Sequence, residues 1–497
     1  MKNLLLISSF LIATASVAQT ETEVLRYSST HFGGTARYNS VAGAFGAVGA
    51  DFSVLSTNPA GMGRYRESDF SFTPTLNLSS TSTLHNGNET IDSKENFNIN
   101  NIGIVGVSKA NPESATLWRA VQFGFGYNKL KNFHNRYQIS GVDSTSFSQV
   151  LAFEGSGATE DELYYQTQSP FMASPAYNAW LIDPIDGSGG KENYTTQMYV
   201  DSIYQEHSVV QTGSLGEWSF GVSGNYNDKV YIGASVNLQR FKFSEEKNHK
   251  ETSLIDSTAI IDFTYTEYLE TQGRGVNLKV GAIFLPTKWL RVGLAYHTPT
   301  AYYNVRDQWY TTVTTNFKDT SGFRGTYNEG QSPNGSFLYK MRTPSRILGS
   351  VAVVVKKKGM ISLDYELADY TTGRLNAHRE SGDSYAFGTE NEKVTENFVR
   401  VNNIKVGGEY RVTNLWMIRG GVAYYQNGYN PDVVSQTTPT MTYAGGFGYR
   451  SKTFYIDLAY TLTKSTEDYY MYDPILVSNT VISKSSSNIL ATIGFKF

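Results

Sequence analysis

The sequence predicts an all-β chain, a 14-stranded antiparallel transmembrane β-barrel with an N-terminal hatch (plug) in its lumen. Three observations carry that fold class. Strand-like runs alternate with period two between an apolar and a polar face, short and long connections alternate strictly, and the composition is rich in aromatics and glycine. Of 497 residues, 14% are aromatic, 35 are Tyr and 45 are Gly. With a mean hydropathy of -0.34, this suits an outer-membrane barrel better than the two or three soluble domains that the length otherwise implies.

The first element is an expected secretory signal over 1–18: Lys2, an apolar run over 4–12, and Ser16-Val17-Ala18 as a small-x-small cleavage site before Gln19. No cysteine is present, so a lipoprotein anchor, disulfides and thiolate metal sites are excluded. No later apolar run is long enough for a membrane helix. A net charge of -3 gives no electrostatic footprint for nucleic acid. The expected location is the outer membrane of a Gram-negative-type bacterium.

The hatch is expected over 19–68, and its centre is 35–63. Gly43, Gly46, Gly49, Gly61 and Gly63 allow tight turns, while Val41, Phe45, Val48 and Leu55 offer too little apolar surface for an independent core. Such a segment needs an enclosing wall. Within it, Asn58-Pro59-Ala60-Gly61 is by itself an ordinary turn signal.

The wall follows over 69–497. Leu290, Val292, Leu294 and Tyr296 share one face against Arg291, Gly293 and Ala295; Ile361, Leu363, Tyr365 and Leu367 oppose Ser362, Asp364 and Glu366 in the same way. A soluble sandwich alternates too, so connection lengths decide. Short turns fall at 226–229, 286–288, 356–359, 412–414 and 450–452, with a longer one at 108–118. Long connections fall at 81–96, 140–213, 246–272, 301–344, 371–396, 428–438 and 466–484. The asymmetry matches tight periplasmic turns and large external loops, and leaves 14 strands between them. The last strand places Ile489, Ala491, Ile493, Phe495 and Phe497 on one face.

Ala50-Asp51, Leu55 and Asn58-Pro59-Ala60-Gly61 resemble the N-terminal signature of the FadL outer-membrane transport family (FadL/TodX-like). The strand, proline turn and strand over 277–299 resemble the same family, as does Thr343-Pro344 leading into Ile347-Leu348-Gly349, so the likeness runs loosely along the mature chain. The C-terminal strand ending at Phe497 resembles the signal read by the outer-membrane insertion machinery, although Thr492 and Gly494 depart from its usual glycine placement. The resemblance implies passive uptake of hydrophobic small molecules, with long-chain fatty acids as the default ligand. It further implies capture at external loops, a luminal pocket, and sideways exit beside a kinked third strand once the hatch shifts. Expected partners are the hydrophobic ligand, outer-membrane lipid and the insertion machinery.

The candidate sites follow, several with two readings. Asn58, Pro59, Ala60 and Gly61 form the hatch motif. Gly124 and Gly126 face the lumen from the third strand, either bending it as a lateral gate or making room for the plug. Phe45, Lys279, Arg291 and Arg419 are candidate ligand contacts; the three cations either meet an anionic head group or pair with luminal acids and the plug. Tyr164, Tyr165, Phe171 and Trp180 in the longest loop either form a capture surface or fold that loop onto the barrel mouth. Seven scattered histidines lack paired metal spacing, and neither a G-x-S-x-G elbow nor a P-loop is present, so no catalytic residue, metal or cofactor is expected. The acidic loop 183–190 fails the EF-hand spacing. Two other classes stay open: a subunit of a secretion or surface-assembly machine, and a polar-solute porin.

Overall fold

A computed structural model describes residues 20–497 except 112, 114–115, 188–189, 199–201, 256–258, 319–325, 357, 382–384 and 434–437. The expected signal at 1–18 lies outside the described residues, as do two residues of the 183–190 loop.

Fourteen staves close into one antiparallel circuit. The first half comprises β1 (Asp69–His85), β2 (Asn88–Lys109), β3 (Trp118–Asn132), β4 (Ile203–Tyr226), β5 (Val230–Ser253), β6 (Ile260–Phe284) and β7 (Leu290–His297). The second comprises β8 (Arg346–Val355), β9 (Gly359–Asp369), β10 (Arg400–Arg411), β11 (Trp416–Tyr425), β12 (Thr440–Arg450), β13 (Phe454–Tyr469) and β14 (Thr480–Lys496). Each stave pairs with the next, and β14 returns to β1 from Asp69↔Lys496 to Leu84↔Val481.

Burial is inverted relative to a soluble protein. Phe123, Phe220, Leu294, Ile361, Ile418 and Phe447 are exposed on the outer face, while Gln122, Asn237, Lys279, Asp364, Arg419 and Asp457 are buried inside. Lipid is the only solvent that suits such an exterior. Trp118, Trp289, Tyr410 and Trp416 line the short-turn end, and Trp218, Tyr296, Tyr365 and Tyr424 the other margin of the apolar band; all are exposed. The barrel is therefore that of an outer-membrane protein.

The staves run well beyond this band. Residues 81–85, 88–96, 246–253, 260–272 and 301–317, expected within connections, are strands: β1 and β2 form a hairpin turning at Asn86-Gly87, β5 and β6 reach Ser253 and Ile260, and Ala301–Phe317 continues β7 along β6. Above the membrane the outer face meets water, so 246–253 and 301–317 carry no apolar stripe; ladder hydrogen bonds hold them instead.

The longest connection folds into a cap. Helices Phe147–Gly155, Glu160–Tyr164 and Ala173–Asn178 bury Leu151, Leu163, Ala176 and Leu181 against Ile260, Phe263 and Val313 of the extended wall. Fully buried Glu251 anchors the cap, accepting from the Phe147 backbone N–H at 2.8 Å, Gln205 Nε2 at 3.1 Å and the Ser146 hydroxyl, and pairing with His249 Nε2 at 2.9 Å. Beside it, far above the apolar band, His207 Nε2 meets the Tyr469 hydroxyl at 2.9 Å, and burial holds the His207 pKa well below 6.5. The folded extended wall therefore favours neutral imidazole, and local unfolding there lets the ring take up a proton. Stability of this wall segment is expected to be unaffected by this group above about pH 6.5 and to fall below it by up to about 1.4 kcal/mol per pH unit. Faster proteolysis of 203–212 and 244–253 at pH 5 than at pH 7.5, lost in His207→Gln, is the expected result; equal rates at both pH values would refute it.

Candidate transport chamber

Plug residues 34–63 are almost wholly buried inside the barrel. Small residues leave the backbone as the main surface, so polar contacts fix it. Thr35 Oγ1 donates to both Asp51 carboxylate oxygens at 2.9 and 2.8 Å, and the Ser53 backbone N–H donates to Asp51 at 3.0 Å. Asn58 caps the short 3-10 helix Pro59–Arg64, its Oδ1 accepting from the Ala60 N–H at 3.2 Å. The same side chain donates to the Gly46 carbonyl at 2.7 Å and to Ala282 of β6 at 3.3 Å. One residue thus closes the plug on itself and ties it to the wall. Pro59 supplies the fixed φ that the first helical position favours.

The wall is complementary. The Asp364 carboxylate on β9 accepts from the Phe45 and Gly46 backbone N–H groups at 3.0 and 2.8 Å. Arg37 Nε donates to Glu409 of β10 at 3.0 Å, and Glu409 also accepts from Arg419 of β11 at 2.7 Å. Arg419 reaches Asp457 of β13 at 2.6 Å. Lys279 pairs with Glu217 at 2.5 Å, and Arg291 Nη1 donates to the Val48 carbonyl of the plug at 3.2 Å. All three candidate cations are thus engaged with acids or the plug. Phe45 lies in the plug's own core under the Arg37 guanidinium.

Gly124 and Gly126 face plug side chains: an added Cβ at Gly124 would lie 2.5 Å from Met62 Sδ, and at Gly126 2.6 Å from Phe52 Cζ and 2.3 Å from the Ile102 carbonyl. Here they make room. The third stave breaks higher up, at a bulge between Lys129 and Lys131, and resumes as Asn135–Asp143.

At that level the wall parts. β2 pairs with β1 from Asn88↔His85 to Val105↔Asp69 but with β3 only from Asn101↔Asn128 to Lys109↔Ala120. Residues 88–100 of β2 have no ladder partner on the β3 side among the described residues. The continuation of β3 turns inward instead: the Thr83 hydroxyl donates to the Gln138 carbonyl at 2.6 Å, and Asn135 Oδ1 accepts from Ser79 and Thr81 at 3.1 and 3.0 Å. Pro74 in β1, which has no N–H for the ladder, sits at the register shift that leaves Asn100 of β2 as an extra residue.

The plug wedges the parting. Asn100 Nδ2 donates to the Gly34 carbonyl at 2.7 Å, and Gly33 packs so tightly on β3 that a Cβ there would lie 1.7 Å from the Lys129 carbonyl oxygen. Gly34 has φ +120, which side-chain-bearing residues rarely adopt.

Beside this wedge lies a chamber of about 840 Å³, bounded by the plug, β1 to β5 and β12 to β14, with Arg26, Lys129, Lys131, Glu245, Lys247 and Lys484 among its lining residues. Leu25, Phe32, Leu130, Phe133 and Phe243 give it an apolar side; Asn77, Asn98 and Asn100 with Thr442, Thr463 and Ser486 give it a polar one. Outside the parting, Ile91, Phe97 and Ile99 of β2 are exposed, carrying the apolar surface upward along this stave.

Loop aromatics divide. Tyr164, Tyr165 and Trp180 are exposed, whereas Phe171 packs on Trp309 with ring centroids 5.5 Å apart and its carbonyl accepts from the Tyr265 hydroxyl at 3.1 Å. Among the described residues, no cluster of three or more potential metal-ligating side chains occurs. Sequence reading missed Pro74, Asn100 and the Gly33-Gly34 pair. A proline inside a polar alternating strand was the available signal.

Fold and site together define a plugged transmembrane β-barrel of the outer membrane with a parting in its wall. Its particular fold is of the FadL/TodX type. The structure superposes on a FadL homologue of Pseudomonas aeruginosa with TM-score 0.56 at 12% identity, covering 94% of this chain and 100% of that one. It superposes on the toluene transporter TodX of P. putida with TM-score 0.50 at 13% identity, covering 94% and 99%. No protein-family model matches the chain, and no curated protein matches it in sequence.

Proposed function

We propose that this barrel is a member of the FadL family, is not an enzyme, and takes up hydrophobic small molecules passively, with long-chain fatty acids as the first candidates. One observation carries the reading: the chamber meets the place where β2 and β3 part, and the outer surface there is apolar. An acyl chain gains about 0.8 kcal/mol per methylene on leaving water. A sideways route from chamber to lipid spares it a water-filled pore. The toluene transporter among the structural neighbours supports apolar cargo. The plug, anchored all round the wall, argues against an open porin.

The test is mass spectrometry of lipid extracted from the detergent-purified barrel, beside uptake of labelled fatty acid by cells carrying Asn58→Ala with Pro59→Ala. A bound apolar ligand, and uptake reduced about fivefold at equal surface level, is expected, as losing a cap, one contact within the plug and one to the wall removes on the order of 1 kcal/mol or more. An empty barrel with unchanged uptake would overturn the proposal.

A further inference from the structure

The lipid-facing wall carries a second cavity outside the lumen. Over β2 to β6 the exterior is indented by about 670 Å³, lined by Ile104, Gly106, Phe123, Phe125, Phe220 and Val280. Gly106 leaves part of this hollow open: a Cβ there would meet nothing within 4 Å. At the periplasmic rim lies a groove of about 330 Å³ lined by Arg66, Glu67, Lys109, Lys452 and Lys496, among others. Phe497 lines both. The apolar hollow and the basic groove therefore adjoin at the chain's last residue.

Charge in the groove is unbalanced. Arg66 pairs with Asp228 at 2.7 Å, but Lys109, Lys452 and Lys496 have no carboxylate within 4.0 Å among the described residues; against these four cations the lining sets the Glu67 side chain and the Phe497 main-chain carboxylate. The overall charge of -3 supplies no reason for this excess.

We infer that this is a binding site for an anionic phospholipid of the inner leaflet, with an acyl chain in the hollow and the phosphate among Lys109, Lys452 and Lys496. The order of surfaces fits one occupant: apolar at membrane depth, cationic where the bilayer ends. Lysines at such an interface attract anionic head groups and leave zwitterionic ones unselected. The site is separate from the chamber, so its test does not involve uptake.

Purified barrel is exchanged into mixed vesicles of phosphatidylglycerol and phosphatidylcholine, re-extracted in mild detergent, and its retained lipid measured by native mass spectrometry. The wild type is expected to retain phosphatidylglycerol over phosphatidylcholine by about fivefold or more. Lys109→Gln, Lys452→Gln and Lys496→Gln together should bring the ratio near one. Gly106→Phe, whose Cβ would meet nothing within 4 Å and whose ring would occupy the hollow, should reduce total retained lipid. Heat-modifiable gel mobility verifies that each variant is folded. Equal retention of both lipids by the wild type, a preference that survives the triple substitution, undiminished lipid on Gly106→Phe, or displacement of phosphatidylglycerol by oleate would each overturn the assignment.

Discussion

Gly33→Val is expected to reduce uptake of labelled fatty acid about tenfold, on the order of 1.4 kcal/mol, while the barrel still folds and reaches the surface. The Gly33 backbone lies against the carbonyl of Lys129, where an added Cβ would sit 1.7 Å from the oxygen. Either the plug or β3 must move, and overpacking of this kind costs about 1–3 kcal/mol. The collision falls at the β3 bulge, opposite Asn100, whose amide holds the Gly34 carbonyl. Displacing this wedge alters the parting between β2 and β3 and leaves the 14 staves intact. Gly420→Ala is the matched control: its Cβ would meet only the Ala444 carbonyl oxygen, at 3.7 Å, and uptake should not change. Equal uptake by Gly33→Val and wild type at equal surface level would show that the wedge plays no part in transport.

Arg419→Met should produce the largest loss of stability, about 3–5 kcal/mol. The Arg419 side chain has 0% exposure and bridges Glu409 and Asp457, themselves 9% and 1% exposed. Methionine fills much of the volume but leaves Asp457 with only the Arg450 contact at 3.5 Å, and Glu409 with Arg37. Because Arg37 belongs to the plug, the loss should loosen plug and wall together. Urea unfolding followed by tryptophan fluorescence and by heat-modifiable mobility reads it. Pairing Arg419→Met with Asp457→Asn removes the stranded charge and should recover part of the loss. A destabilisation under about 1 kcal/mol would mean that water already serves both carboxylates, as at exposed ion pairs.

Both predictions rest on features that differ in how they could be read from sequence. The closed barrel was legible because lipid imposes a local rule: within the apolar band every outward residue must be apolar and every inward one is free to be polar. Leu290 to Tyr296 obeys that rule without reference to any other part of the chain. The enclosed plug was legible for a related reason, since 35–63 lacks the apolar surface to stand alone. Strand ends were not legible. Above the band both faces meet water, and segments such as 246–253 and 301–317 have the composition of loops although they pair in register.

Residue roles were less accessible still. Strand parity placed Lys279, Arg291 and Arg419 in the lumen, but nothing local distinguishes a cation awaiting a ligand from one held by Glu217, the Val48 carbonyl or Asp457. These partners lie 62, 243 and 38 residues away, respectively. Local sequence left Gly124 and Gly126 open between bending the third stave and making room for the plug, and plug side chains lie against both; the break itself sits at Lys129 to Lys131, beside Gly33 of a distant segment.

By itself, then, the sequence determined the barrel, the strand count and the plug, because each follows from alternation, turn length and composition within short windows. Only the tertiary structure decided which luminal charges are satisfied, where β2 leaves β3, how the Gly33-Gly34 wedge and Asn100 meet at that point, and that Phe497 joins an apolar hollow to a basic groove. Those are relations between strands whose separation in the chain is set by barrel closure, and closure leaves no mark on any single segment.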